Sequence, residues 1–260
     1  MDLQLQGKRV LLTGASRGIG YACALAFAQE GALPTLVARD GQALAAAAAA
    51  IATATGIVAP TLALDITGAE AIERIAEAAA ETDILVNNAG AIPGGTLAQV
   101  DDARWRQAWE LKLFAYVNLV RAILPRMEAR RSGVIANVIG MAGVAPRHDY
   151  LCGGTANAAL IAFTRAVGAA SPRHNVRVFG VNPSLTNTDR VAGLTRQMAA
   201  ARLGDAERWR EISAGLPFGR MLEPREVAEL LVFACSPRAA YLSGTVIDLD
   251  GGQLYATAPT

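Results

Sequence analysis

Short apolar runs alternate with long helical patterns from one end of this 260-residue chain to the other. That rhythm confines it to βαβ units around a parallel sheet. The expected strands are Arg9 to Thr13, Pro34 to Ala38, Thr61 to Leu64, Ile84 to Asn87, Val134 to Val138, Val176 to Val181 and Thr245 to Asp248. Helices are expected near Gly18 to Glu30, Gln42 to Thr55, Ala69 to Ala80, Trp105 to Met127, Gly154 to Ala170 and Arg225 to Cys235. Each is long enough to cross back over a sheet, and seven strands suit a doubly wound α/β domain spanning residues 1–260. The Ala43 to Ala50 run reads as a surface-layer helix, because Ala has the highest intrinsic helix propensity. The least regular stretch, Ser184 to Gly219, with a helical piece at Gly193 to Leu203, is where a lid would sit.

Composition narrows the function classes. With 52% hydrophobic and 18% charged residues the chain can bury a sizeable core, and a net charge of +1 gives no footprint for nucleic acid or an anionic membrane. Met1 to Val10 holds no sustained apolar run, and no later stretch offers 18 uncharged apolar residues. A soluble, cytoplasmic protein with a small-molecule ligand is expected. Cys23, Cys152 and Cys235 form no metal-ligand pattern, so no metal is expected, and Cys23 and Cys235 read as small helix residues.

The strand ending at Leu12-Thr13 runs into Gly14, Gly18 and Gly20 before a helix. This order supplies a tight turn, a close backbone approach and helix N–H groups that face a pyrophosphate. The segment Thr13-Gly14-Ala15-Ser16-Arg17-Gly18-Ile19-Gly20 has TGxxxGxG spacing and resembles the cofactor loop of the short-chain dehydrogenase/reductase family. Asp65 and Asn87-Asn88-Ala89-Gly90 are similar to that family's adenine contact and strand-four end. Asn182-Pro183 with Thr188 resembles its nicotinamide-side loop, although Ser184 replaces the usual Gly. Phe218-Gly219-Arg220, Pro224 to Glu226, Ser243-Gly244 and Asp250-Gly251-Gly252 extend the resemblance over essentially the whole chain. It implies a Rossmann-like sheet with cofactor contacts from Gly14, Ser16, Arg17, Gly18, Ile19, Gly20, Arg39, Asp65, Ile66, Asn88, Ala89, Gly90, Asn157, Pro183 and Thr188. It also implies a homodimer or homotetramer built through the two long helices, Trp105 to Met127 and Gly154 to Ala170.

Cofactor choice turns on the end of strand two. Ala38 stands where NAD-dependent members carry Asp, and Arg39 follows it. With Arg17, two guanidinium groups suit the 2′-phosphate of NADP(H) over NAD(H). Alternatively, Arg39 stacks on the adenine or pairs with Asp40.

The resemblance fails where the chemistry should be. Gly133 to Val138 is similar to the family's fifth strand, and Ala158 to Arg165 to the segment after its catalytic Lys. These two anchors set Gly140, Gly153 and Asn157 against the family's Ser, Tyr and Lys, and Lys112 against its Asn. Two residues offer replacement chemistry. Tyr150 lies three residues before Gly153 and seven before Asn157, so a helix reaching back that far puts all three on one face, with room at 153 for the phenol. Lys112 restores a positive charge as acid, base or carbonyl-polarising group, or simply bonds the backbone carbonyls that Asn would bond, with Tyr116 one turn on. His148-Asp149 reads as solvated loop, and Cys152 as a buried thiol.

Three functions remain open. The first is an NADP(H)-dependent oxidoreductase of a carbonyl or secondary alcohol with a relocated acid/base, Tyr150 and Lys112. The second is a catalytically inactive NADP(H)-binding sensor or scaffold, and the third a lyase or isomerase step using Lys112. Apolar residues of the irregular segment, Val191, Leu194, Met198, Leu203, Leu216 and Phe218, favour a partly hydrophobic substrate.

Overall fold

Seven parallel strands form one sheet in the order β3-β2-β1-β4-β5-β6-β7. The computed structural model describes residues 1–256, apart from the side chains at 190, 194, 197, 198, 201 and 202. The strands are β1 (Arg9–Thr13), β2 (Leu33–Ala38), β3 (Thr61–Ala63), β4 (Ile84–Asn87), β5 (Gly133–Val138), β6 (Val176–Pro183) and β7 (Val246–Leu249). The helices are α1 (Gly18–Gln29), α2 (Gly41–Thr55), α3 (Ala69–Ala78), α4 (Asp102–Trp109), α5 (Ala115–Ala129), α6 (Leu151–Ala170), α7 (Asp189–Leu203), α8 (Trp209–Ser213) and α9 (Pro224–Cys235). The chain winds outward through β1, β2 and β3, then returns to place β4 on the other side of β1. That reversal opens a crevice above the carboxyl ends of β1 and β4, where open α/β sheets bind ligands.

The period-two alternation of the strands sorts their side chains onto two helical layers. Val10, Leu12, Leu36 and Val86 pack with Phe27 of α1 and Leu231 of α9. Leu11, Val37, Leu85 and Ile135 pack on the other face with Ile75 of α3 and Leu119 and Ile123 of α5. In the Ala-rich α2 only Leu44, Ala47 and Ile51 are buried, and Asp40 caps its start by accepting from the Ala43 N–H at 3.0 Å. Cys23 and Cys235 lie in the first of these cores, and burial pushes the Cys23 thiol up to about 12.

Two expectations need correction. The helix expected from Trp105 to Met127 starts at Asp102, with Asp101 as its cap, and is interrupted by a π-helical turn, Glu110–Phe114. Hydrophobic periodicity tolerates such a turn, because the side chains on either side still reach the same core. The sixth helix begins at Leu151 rather than Gly154, and Tyr150 sits just outside it as the N-cap with φ −145° and ψ 39°. Tyr150 therefore meets Gly153 through a non-helical cap and not by helical periodicity. In the irregular segment, Val191, Leu203 and Leu216 are half-buried and Phe218 is exposed, while the side chains of Leu194 and Met198 lie outside those described. No described helix is long and apolar enough to cross a membrane. Among the described residues no cluster of His, Cys, Asp and Glu could hold a metal ion.

Candidate active site

The glycine-rich loop is locked against the end of β4. Asn88 donates its side-chain amide to the carbonyls of Thr13 (3.1 Å) and Gly14 (3.2 Å), while the Thr13 hydroxyl accepts from the backbone N–H groups of Asn88 and Ala89. Asn88 thus shapes the loop. A Cβ on Gly20 would overlap the Gly14 carbonyl oxygen and stand 2.6 Å from the Asn88 amide nitrogen, so only glycine lets α1 start this close to β1. Arg17 is the N-cap of α1 and its side chain caps nothing, which leaves the first-turn N–H groups facing the crevice without a side-chain acceptor. The Thr188 methyl, 3.2 Å from where a Gly18 Cβ would stand, brings the start of α7 over the loop. This cradle fits a dinucleotide pyrophosphate. Gly20→Ala is expected to abolish NADPH binding and to lower stability by about 1–3 kcal/mol through overpacking. Fluorescence titration and thermal melting check this, and unchanged affinity would refute the reading of the loop.

At the other end of the crevice, Arg39 faces Asp65 and not Asp40. Its Nη1 lies 4.0 Å from Asp65 Oδ2, and Asp40 is spent on capping α2. Asp65 Oδ1 accepts from the backbone and hydroxyl of Thr67. Both partners of the Arg39–Asp65 pair are more than half exposed, so the pair contributes little and a bound anion can replace it. A cavity of about 450 Å³ opens here between Arg39, Asp65 and Thr67 on one wall and α4 on the other. Ile66, next in sequence, is buried in the second core.

Three features mark the part of the crevice where the sequence puts its candidate acid/base. First, the Tyr150 ring fills the space in front of Gly153: a Cβ at 153 would overlap the ring at Cε1 and Cζ. The ring carbon that bears the hydroxyl therefore lies at the level of that Cβ. A tyrosine at 153 would carry its hydroxyl a full ring length further out, so the Tyr150 hydroxyl sits nearer the 153 backbone. Tyr150 is held by pairing with Gly95, by the bond from the Gly154 N–H to its carbonyl at 2.9 Å, and by packing with Trp105, Trp109, Ile92 and Cys152. Trp109 Nε1 donates to the Cys152 carbonyl at 3.2 Å and so ties the end of α4 to the first turn of α6. No sequence pattern singled out Trp109 for this, although its place three residues before Lys112 is a helical-periodicity signal.

Second, Lys112 is buried inside the π turn. Its ammonium donates to the Val138 carbonyl at 2.8 Å and to the Tyr116 hydroxyl at 3.1 Å, and the Tyr116 hydroxyl donates to the same carbonyl at 3.1 Å. Burial pushes the Tyr116 phenol well above its ordinary range, which keeps it neutral. A Cβ on Gly90 would stand 3.0 Å from Lys112 Cδ, so the bare backbone at 90 admits the lysine stem.

Third, a chain of hydrogen bonds crosses the exit of β5. Asn182 donates to Asp248 Oδ1 at 2.8 Å and accepts from the Gly140 N–H at 3.2 Å, and Asn157 makes a long 3.4 Å bond to the Gly140 carbonyl. Asp248 can only accept, which fixes which end of the Asn182 amide faces it. Gly140 has φ +135°, a region costly for a residue with a Cβ. Asn157 Oδ1 is buried with no hydrogen-bond partner among the described residues. Lys112 and Asn157 thus hold carbonyls two residues apart on one strand exit. The Gly140 position also borders Pro183, whose carbonyl lies 3.9 Å from where a Cβ would be.

The remaining side chains nearby are committed elsewhere. Asp149 is bound by Arg147 through two bonds of 2.9 and 2.6 Å, which hold its carboxyl below the usual range, so it does not orient His148. Cys152 is buried and its thiol is pushed up by burial.

Residues 14–253 match a family model described as enoyl-(acyl carrier protein) reductase. The chain is 34% identical to a 3-oxoacyl-(acyl-carrier-protein) reductase of Vibrio harveyi, over 96% of this chain and 99% of that protein. It is 33% identical to a 2-keto-3-deoxy-L-fuconate dehydrogenase of Xanthomonas campestris, over 96% of this chain and 81% of that one. Among solved structures, L-sorbose reductase from Gluconobacter frateurii, complexed with NADPH and L-sorbose, superposes with a TM-score of 0.92 at 32% identity, covering 99% of this chain and 100% of that one. With the glycine-rich loop, the 3-2-1-4-5-6-7 sheet and these full-length matches, the chain belongs to the short-chain dehydrogenase/reductase family.

Proposed function

We propose that the protein is an NADP(H)-dependent oxidoreductase of a carbonyl or secondary alcohol, in which Tyr150 is the acid/base and Lys112 the supporting cation. The observation that carries this reading is the Tyr150 ring in the space that Gly153 leaves open. The other departures are paired in the same way: Gly140 with Asn157 through a shared bond, and Lys112 with Tyr116 over the Val138 carbonyl. Scattered loss of function would not leave each change fitted to a neighbour.

The roles follow from position. Bound nicotinamide supplies or takes up the hydride. Gly14, Ser16, Arg17, Gly18, Ile19 and Gly20 hold the pyrophosphate end, with Asn88, Ala89 and Gly90 shaping the loop and crevice. Asp65 and Ile66 border the adenine, and Pro183, Thr188 and Asn157 the nicotinamide side. In the reductive direction Tyr150 gives its phenolic proton to the substrate carbonyl oxygen, and in oxidation it takes that proton back. A phenol has an ordinary pKa of about 10, so it needs a nearby positive charge to act near neutral pH. Lys112, buried at the exit of β5, is that charge. We also propose a cytoplasmic homodimer or homotetramer assembled through α5 and α6, where Phe114 just before α5 is 43% exposed.

Titration with NADPH, followed by NADPH oxidation against a panel of ketones, ketoses and aldehydes, tests this function. Turnover of at least one panel member is expected. Tight binding with no turnover across the panel would instead favour a cofactor-binding sensor or scaffold. The NADP(H) preference is tested separately. Arg39→Ala is expected to weaken NADPH about tenfold, the loss of one bond to a charged group, while NADH binding stays within about twofold. Equal loss for both cofactors would refute the preference.

A further inference from the structure

We infer that Arg104, on α4, is a second phosphate-binding residue of the adenosine pocket and helps set its selectivity for a 2′-phosphorylated ribose. The inference rests on the NADP(H) reading above and extends it to the opposite wall of the pocket. The juxtaposition that carries it is a cavity of about 450 Å³ lined by both Arg39 and Arg104, with Asp65 and Glu110 also on its wall. Besides Arg17, the cation expected from the sequence, the cavity wall carries Arg104.

Charge balance favours a further arginine at this site. A phosphomonoester brings about −1.5 to −2 charges near neutral pH. Arg39 faces Asp65 at 4.0 Å, in an exposed pair that a bound anion can replace. The acids nearest Arg104 in sequence are engaged elsewhere: Asp101 Oδ1 accepts from the Arg104 backbone N–H at 2.8 Å to cap α4, and Asp102 pairs with Arg106 at 2.8 Å. Among the described residues the Arg104 guanidinium has no acidic partner. The Asp101 cap also fixes the first helical turn from which Arg104 projects, which limits the entropy lost when the side chain closes on a ligand. A guanidinium fork suits phosphate oxygens better than an ammonium would.

Calorimetric binding of 2′,5′-ADP and 5′-AMP to the full chain tests this without any catalytic readout. The wild type is expected to prefer 2′,5′-ADP. Arg104→Ala should weaken 2′,5′-ADP about tenfold and leave 5′-AMP within about twofold, and Arg104→Lys should recover only part of the loss. If Arg39→Ala loses the preference while Arg104→Ala keeps it, the inference falls and the NADP(H) reading stands. Equal weakening of both nucleotides by Arg104→Ala, with an unchanged melting temperature, would also overturn the inference. A wild type that binds the two nucleotides equally would overturn the NADP(H) reading and this inference with it.

Discussion

Tyr150→Phe is expected to lower kcat by about 10²- to 10⁴-fold against whichever carbonyl substrate turns over, the usual contribution of a positioned acid/base, and to leave NADPH affinity within about twofold. The substitution removes one oxygen and keeps the ring that packs with Trp105, Trp109 and Cys152, so the core around the ring stays filled. Gly153→Ala gives the complementary result. Its Cβ cannot coexist with the Tyr150 ring in the present position, so the ring must leave. Activity should fall as far as in Tyr150→Phe, with a stability loss of about 1–3 kcal/mol from overpacking. The double variant should lose little activity beyond either single one, because both act on the same hydroxyl. Full activity in Tyr150→Phe would sink the assignment. Full activity in Gly153→Ala would show that the ring position does not matter to the reaction.

Much of the architecture was legible because it depends on periodicity. The strands β1 and β4 begin and end where alternation and flanking glycines put them, and the Ala-rich α2 buries only Leu44, Ala47 and Ile51. The π turn at Glu110–Phe114 was not legible, since a change of hydrogen-bond register leaves the apolar spacing nearly intact. The glycine-rich loop could be located from spacing, but not the role of Asn88 as the clamp that shapes it, which depends on β4 lying beside β1. Tyr150 and Gly153 illustrate the same limit. Sequence spacing puts them near one another, yet the overlap of a ring with an absent Cβ exists only once the cap of α6 departs from helical geometry. Arg104 could not be singled out at all, because its relation to Arg39 joins residues 65 positions apart across a cavity.

Lys112→Met separates function from structure. Methionine matches the lysine stem in length and carries no charge, and the Val138 carbonyl keeps its bond from the Tyr116 hydroxyl at 3.1 Å. Lys112 is only 7% exposed, and its ammonium is hydrogen-bonded to the Val138 carbonyl and the Tyr116 hydroxyl among others. Holding a cation in so buried a place costs desolvation that its partners only partly offset. Removing the charge should therefore leave stability unchanged or raise it by about 1–2 kcal/mol. For a chain of this size that is a rise of roughly 2–8 °C in melting temperature. Activity should move the other way, by about 10²-fold or more in kcat, because the Tyr150 phenol loses its supporting charge. The pH profile gives a further signature: the residual activity should shift to higher pH, where a phenol without a nearby cation begins to ionise. A melting temperature several degrees lower with unchanged kcat would mean that Lys112 only props up the exit of β5. A protein that is more stable and nearly inactive is the result a functional lysine requires.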